Sequence, residues 1–112
     1  MMVGVDNMWV NIGRSQMHLP TGNPQRIRGT IGLVIPDLNT LTKRLRDVAL
    51  LLSDTQFGFR EREKFVEATC PWGNRFRCHS PSPELLGETQ LGIAYVEFTA
   101  PAGTANRIAR FY

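Results

Sequence analysis

Cysteine is scarce, with 2 in 112 residues, so there is no disulfide framework, and the scarcity fits a reducing compartment. Long apolar runs are missing. The longest, Val48-Ala49-Leu50-Leu51-Leu52, is far too short to cross a bilayer. No basic stretch followed by an apolar one opens the chain, so no secretion signal is marked; a cytoplasmic location without membrane contact is expected. Lysine is nearly absent too, since only Lys43 and Lys64 stand among 13 cations and the rest are arginine. Unbroken positive clusters are lacking. Arg60-Glu61-Arg62-Glu63-Lys64 alternates in sign and reads as a solvated hairpin turn, and there is no basic helix or tail. A net charge of +3 is therefore no nucleic-acid footprint, and nucleic acid is not an expected partner. The apolar fraction of 42% is too high for a disordered tail, and the length suits one domain with a modest core.

What is present is a series of short strand-like runs interrupted by two helical ones. Residues 8–19 read as two strands about a turn near 11–13, and 20–24 as a loop. Residues 30–35 form a β-rich run stopped by Pro36. The spacing of Leu38, Leu41, Leu45 and Val48 predicts a helix capped by Asp37 or Asn39, with Lys43, Arg44 and Arg46 on its other face. Strands are expected over 55–60, 65–69, 75–79 and 92–99. Gly73-Asn74 supplies the positive φ that a hairpin turn requires. A loop is expected from Ser80 to about Gln90, and a second helix from Thr104 carrying Ala105, Ile108 and Phe111. Trp9 and Trp72 are expected to pack near turns, with a place on the rim of a binding cup as the alternative for Trp72.

The chain also repeats itself in order. Arg14-x-Gln16-x-His18-x-Pro20 matches Arg75-x-Arg77-x-His79-x-Pro81, and Gly29 to Val34 matches Leu91 to Val96, each pair about sixty residues apart. The repeating unit is a strand, a helix and three strands.

Three segments carry a likeness to a known family. Ile31-Gly32-Leu33-Val34-Ile35-Pro36-Asp37-Leu38 is similar to the first strand and helix entry of the vicinal oxygen chelate superfamily. Cys70-Pro71-Trp72-Gly73-Asn74-Arg75-Phe76 resembles that superfamily's turn into its last strand, and Ile108-Ala109-Arg110-Phe111-Tyr112 resembles its Phe-Tyr helix. Its members include glyoxalases, bleomycin-resistance proteins and type I extradiol dioxygenases. The resemblance implies an α+β fold of βαβββ modules, whose curved mixed sheets form a cup with helices on the outer face. It implies that 1–28 are the C-terminal strands of one module, 29–82 a complete module, 83–90 a loop, and 91–112 the first strand and helix of a further module. On this reading the chain is a fragment of a glyoxalase-like domain. Its own two ends complete it by pairing, or a homodimer partner or further modules of a longer chain do so.

The metal-ligand slots that the resemblance implies fall on Thr30 and Gly92, and on Arg77 and Gln16. Thr, Gly and Arg do not replace imidazole and carboxylate around a divalent cation. No metal is therefore expected. The alternatives are His18 and His79 used unusually, with Glu67 or Glu97 as a third ligand, or ligands that lie outside this segment.

Side chains two apart on a strand share a face, so Arg75, Arg77 and His79 point one way, as do Arg14, Gln16 and His18. The resemblance implies that both trios line the cup, above small residues at Thr30, Gly32, Gly92 and Ala94. Such a lining suits a small anionic or oxygen-rich organic molecule. The competing reading is a solvated sheet face and hydrogen-bonded structural histidines. Cys70 and Cys78 lack a His/Asp arrangement at a known spacing, and no helix opens directly after the glycines at 29–32 or 87–92 to cradle phosphate. Three functions remain open: a metal-free small-molecule binder, a metal-dependent lyase or dioxygenase, and a structural or dimerising module.

Overall fold

The structure, a computed structural model, describes residues 2–3 and 7–112. Strands β1 (Met2–Val3), β2 (Asn7–Ile12) and β3 (Ser15–Pro20) form an antiparallel sheet in that order. Five further strands are β4 (Gly29–Val34), β5 (Gly58–Glu61), β6 (Phe65–Thr69), β7 (Arg75–His79) and β8 (Gly92–Phe98). They make a second sheet in the order β5-β6-β7-β4-β8. Within it β4 and β7 run parallel while the other neighbours are antiparallel, so the sheet is mixed and the fold is α+β. No helix among the described residues is long and apolar enough to cross a membrane.

Helix α1 (Leu38–Ala49) joins β4 to β5 and covers one face of this sheet. Asp37 caps it: its Oδ1 accepts from the Thr40 backbone N–H at 3.0 Å and its Oδ2 from the Thr40 hydroxyl at 2.6 Å. Leu38, Leu41 and Leu45 pack on Leu33, Val66 and Cys78, with Ile31, Phe59 and Phe76 around them. Val48 continues the helical spacing but stays exposed and is not part of this packing. The core is small. Among the described residues Val34, on the opposite face, is the largest side chain with no exposed surface.

Three expectations are corrected. Strand β5 starts at Gly58 rather than near Thr55, because the Thr55 hydroxyl bonds the Leu52 carbonyl at 2.7 Å and receives the Phe57 N–H at 3.1 Å. The loop expected over 83–90 contains a one-turn helix, α2 (Pro83–Leu86), in which Leu85 and Leu86 donate to the Ser82 carbonyl. Proline at the first turn of a helix has no N–H to lose there, so the Pro run starts a helix rather than preventing one. Helices were expected on the outer face; among the described residues α1 packs on one sheet face through Leu38, Leu41 and Leu45, whereas α3 (Ala105–Phe111) has no buried residue.

The β2–β3 hairpin turn rests on the start of β8. Gly13 (φ +59) brings its backbone so close to the Leu91 carbonyl that any side chain would collide, and Ser15 Oγ accepts from the Ile93 N–H at 3.1 Å. Ile12 and Met17 then join Ile93 at the margin of the core.

Candidate functional site

Strand β7 presents two chemistries on its two faces. Phe76 and Cys78 face α1, and burial pushes the Cys78 thiol up to about 11, which makes it a packing group and a poor nucleophile. Arg75, Arg77 and His79 face the other way. Register supplies their neighbours: Thr30, Gly32 and Val34 on β4, and Thr69, Glu67 and Phe65 on β6. On β8, Glu97 lies opposite Thr30 and Tyr95 opposite Gly32.

Here the inward set differs from the expected one. The register shifts between Gly32 and Leu33, so Ala94 has no partner on β4 while Tyr95 pairs with Gly32 and Ile93 with Leu33. A β-bulge breaks the two-residue alternation, so Tyr95 and Glu97, not Ala94, share the face of Arg77. The space expected over Gly32 is filled, because the Tyr95 ring lies where a Cβ of residue 32 would stand.

Tyr95 completes a polar cluster. Its hydroxyl is hydrogen-bonded to His79 Nε2 at 2.8 Å, and the His79 ring sits between Tyr95 and Phe65 at centroid distances of 5.7 and 5.4 Å. Arg77 Nη1 donates to Glu97 Oε2 at 3.3 Å, and its guanidinium lies 6.0 Å from the Phe65 ring centroid. The Tyr95 oxygen and then the Glu97 carboxylate push the Arg77 guanidinium above its ordinary value; partial burial opposes them. Burial and then the Arg77 charge hold His79 below its ordinary value, which keeps the imidazole neutral near pH 7. Beyond His79 opens a cleft of about 550 Å³, bounded by Phe65, Arg62, Leu38 and Leu85 at the end of the sheet. Of the cluster, His79 and Phe65 line this cleft, and a neutral imidazole beside an aromatic ring, with Arg62 and Lys64 on the border, can bind an oxygen-bearing organic group.

Arg75, Arg77 and His79 stand on one face as the alternation indicated. Arg14, Gln16 and His18 belong to the other sheet. Gln16 donates to Asn11 Oδ1 at 2.8 Å, and His18 Nε2 is hydrogen-bonded to Asn7 Oδ1 at 2.9 Å. The His18 ring stacks on Trp9 at 4.1 Å, which places Trp9 mid-strand rather than near a turn, whereas Trp72 sits exposed in the β6–β7 turn. Among the described residues no hydrogen bond, ion pair or ring contact links the two trios. No group of three His, Cys, Asp or Glu side chains converges there either. Glu67 is engaged by Arg62 at 3.0 Å and Glu97 by Arg77 at 3.3 Å.

No protein-family model matches the chain, and no curated protein or solved structure matches it significantly. The site therefore rests on its own geometry. Sequence reasoning missed Tyr95 and Phe65. Their signal was an aromatic at a period-two position in each of two strands, which needed the strand register to be put beside His79.

Proposed function

We propose that this chain is a small-molecule-binding module of glyoxalase-like architecture that engages its ligand through side chains rather than a metal. The observation that carries the reading is the cluster Arg77–Glu97 and His79–Tyr95, whose His79 also lines the 550 Å³ cleft. Support for the architecture comes from the order strand, helix, three strands over 29–79, with the first and last strands side by side and parallel. A guanidinium at the position where the resembled superfamily keeps a carboxylate ligand favours an anionic ligand over a bound cation. The ligand class is a small organic acid with an apolar body against Phe65 and Leu85.

The test is NMR titration with benzoate, following the ring protons of His79. Saturable shifts of the His79 ring that Arg77→Ala abolishes support the proposal. Stoichiometric Fe, Mn, Ni or Zn in purified protein, lost when His18 and His79 are both replaced, would overturn the metal-free reading. Failure of benzoate and aliphatic carboxylates alike to shift His79 would overturn the ligand class.

A second reading, a module that packs on another copy or on further modules, is favoured by α3. Phe111 of α3 and Tyr112 just after it are 83% and 96% exposed, Ile108 of the same helix is exposed too, and so are Val96 and Phe98 of β8. A concentration-dependent dimer that dissociates on Phe111→Asp supports it; a monomer at all concentrations excludes the homodimer.

A further inference from the structure

The other end of the same sheet face carries arginines that the reading above does not use. Strands β4 and β7 are parallel neighbours and start side by side, with Thr30 in register with Arg75. Residues 26–28 are an irregular lead-in to β4 with a bend at Arg28, and it brings the exposed Arg26 and Arg28, with the half-buried Ile27 between them, beside Arg75. Together with Thr99, these three arginines border a cleft of about 310 Å³.

The lead-in to β4 is held in place from both sides. Asn74 Oδ1 accepts from the Ile27 N–H at 3.0 Å, and Asn74 Nδ2 donates to the Gln25 carbonyl at 2.8 Å. On the other flank the Thr99 N–H donates to the Arg28 carbonyl at 2.8 Å. Gly73 (φ +99) closes the floor: a Cβ there would stand 2.6 Å from Gln56 Oε1 and 3.2 Å from Arg26 Nε, so the Arg26 side chain lies against bare backbone. The set is thus fixed by contacts between residues 47 to 71 positions apart in sequence.

Its charge is uncompensated. Lys43, Arg46, Arg62 and Arg77 each have a carboxylate within 4.0 Å, whereas among the described residues Arg26, Arg28 and Arg75 have none. Three guanidiniums around one cleft repel one another, and an anion of higher charge relieves that repulsion. Each guanidinium offers five N–H donors in a planar fork, and the Thr99 hydroxyl adds another. We propose that Arg26, Arg28, Arg75 and Thr99 form a binding site for a phosphate dianion, either free or as a small phosphate monoester. The site is independent of the His79 cleft and stands at the opposite end of β7.

Heteronuclear NMR titration at constant ionic strength tests it, with inorganic phosphate, phenyl phosphate and succinate as probes. The expected result is saturable shifts of the Ile27, Asn74 and Thr99 amides with both phosphates and weaker binding of succinate. Arg26→Gln, Arg28→Gln and Arg75→Gln each weaken phosphate binding by at least tenfold, and Arg107→Gln leaves it unchanged. These side chains are exposed, and circular dichroism confirms that the variants remain folded. Tighter binding of phenyl phosphate than of inorganic phosphate assigns a monoester; equal binding assigns free phosphate. Non-saturating shifts, unchanged affinity in Arg26→Gln and Arg75→Gln, tighter binding of succinate, or binding of a single-stranded oligonucleotide without any response to phosphate would overturn the proposal. Loss of benzoate binding at His79 does not bear on it.

Discussion

Gly32→Ala tests the site's construction most directly. The added Cβ enters the volume held by the Tyr95 ring, so the ring must swing away and give up its hydrogen bond to His79. Overpacking of this kind costs about 1–3 kcal/mol, and the lost hydrogen bond adds about 1 kcal/mol. Alanine also restricts the unfolded chain more than glycine does, which returns about 0.5–1 kcal/mol. The net expectation is a loss of about 1–3 kcal/mol and a fall in Tm of roughly 5–15 °C. In a Tyr95→Ala background the obstructing ring is gone, and the same substitution becomes neutral or stabilising by up to about 1 kcal/mol. Urea unfolding of the four proteins of this cycle, followed by far-ultraviolet circular dichroism, measures the coupling. A coupling below about 0.5 kcal/mol, meaning equal costs in both backgrounds, would refute the placement of Tyr95 over Gly32.

Three further outcomes are expected. His79 titrates below its ordinary value because of its burial and the Arg77 charge, so the unfolded chain binds more protons than the folded one between the two values, and stability falls as pH drops through that window. NMR titration of the imidazole checks this: Arg77→Ala moves His79 part-way back toward 6.5, and no movement would remove Arg77 as a cause. The thiol of Cys78, buried and pushed up to about 11, resists alkylation at pH 8 until the protein unfolds, while the half-buried Cys70 reacts first; mass spectrometry of timed iodoacetamide reactions reads the order. Asp37 is held below its ordinary value by its two hydrogen bonds to Thr40, so its contribution is present above its unfolded value and is lost as pH falls through the folded one. Asp37→Ala lowers Tm at pH 7 and has little effect at pH 2, and equal Tm losses at both pH values would refute the charge-dependent cap.

Much of the architecture was legible because it is written in local periodicity. The 3.6-residue spacing of Leu38, Leu41 and Leu45 places their helix, and the alternation along Arg75–His79 separates Arg77 from Cys78. Pro and Gly mark the breaks between elements. Local rules failed where two signals competed for one segment. Thr55 could extend a strand or bond its own backbone, and it does the second. Proline at 83 could prolong a loop or begin a helical turn, and it begins the turn.

The site divides along the same line. The sequence by itself determined which residues of one strand share a face, because alternation is a property of the extended backbone. It could not say which strand lies beside which, or where a register slips. The bulge at Ala94 turns Tyr95 toward Gly32 and His79, and the Asn74 side chain draws Arg26 and Arg28 beside Arg75. It also left the two matching trios looking equivalent, although His18 stacks on Trp9 in one sheet and His79 joins Tyr95 in the other. Those outcomes depend on contacts between distant residues, whose geometry is fixed only once the strands have paired, and so only the tertiary structure decided them.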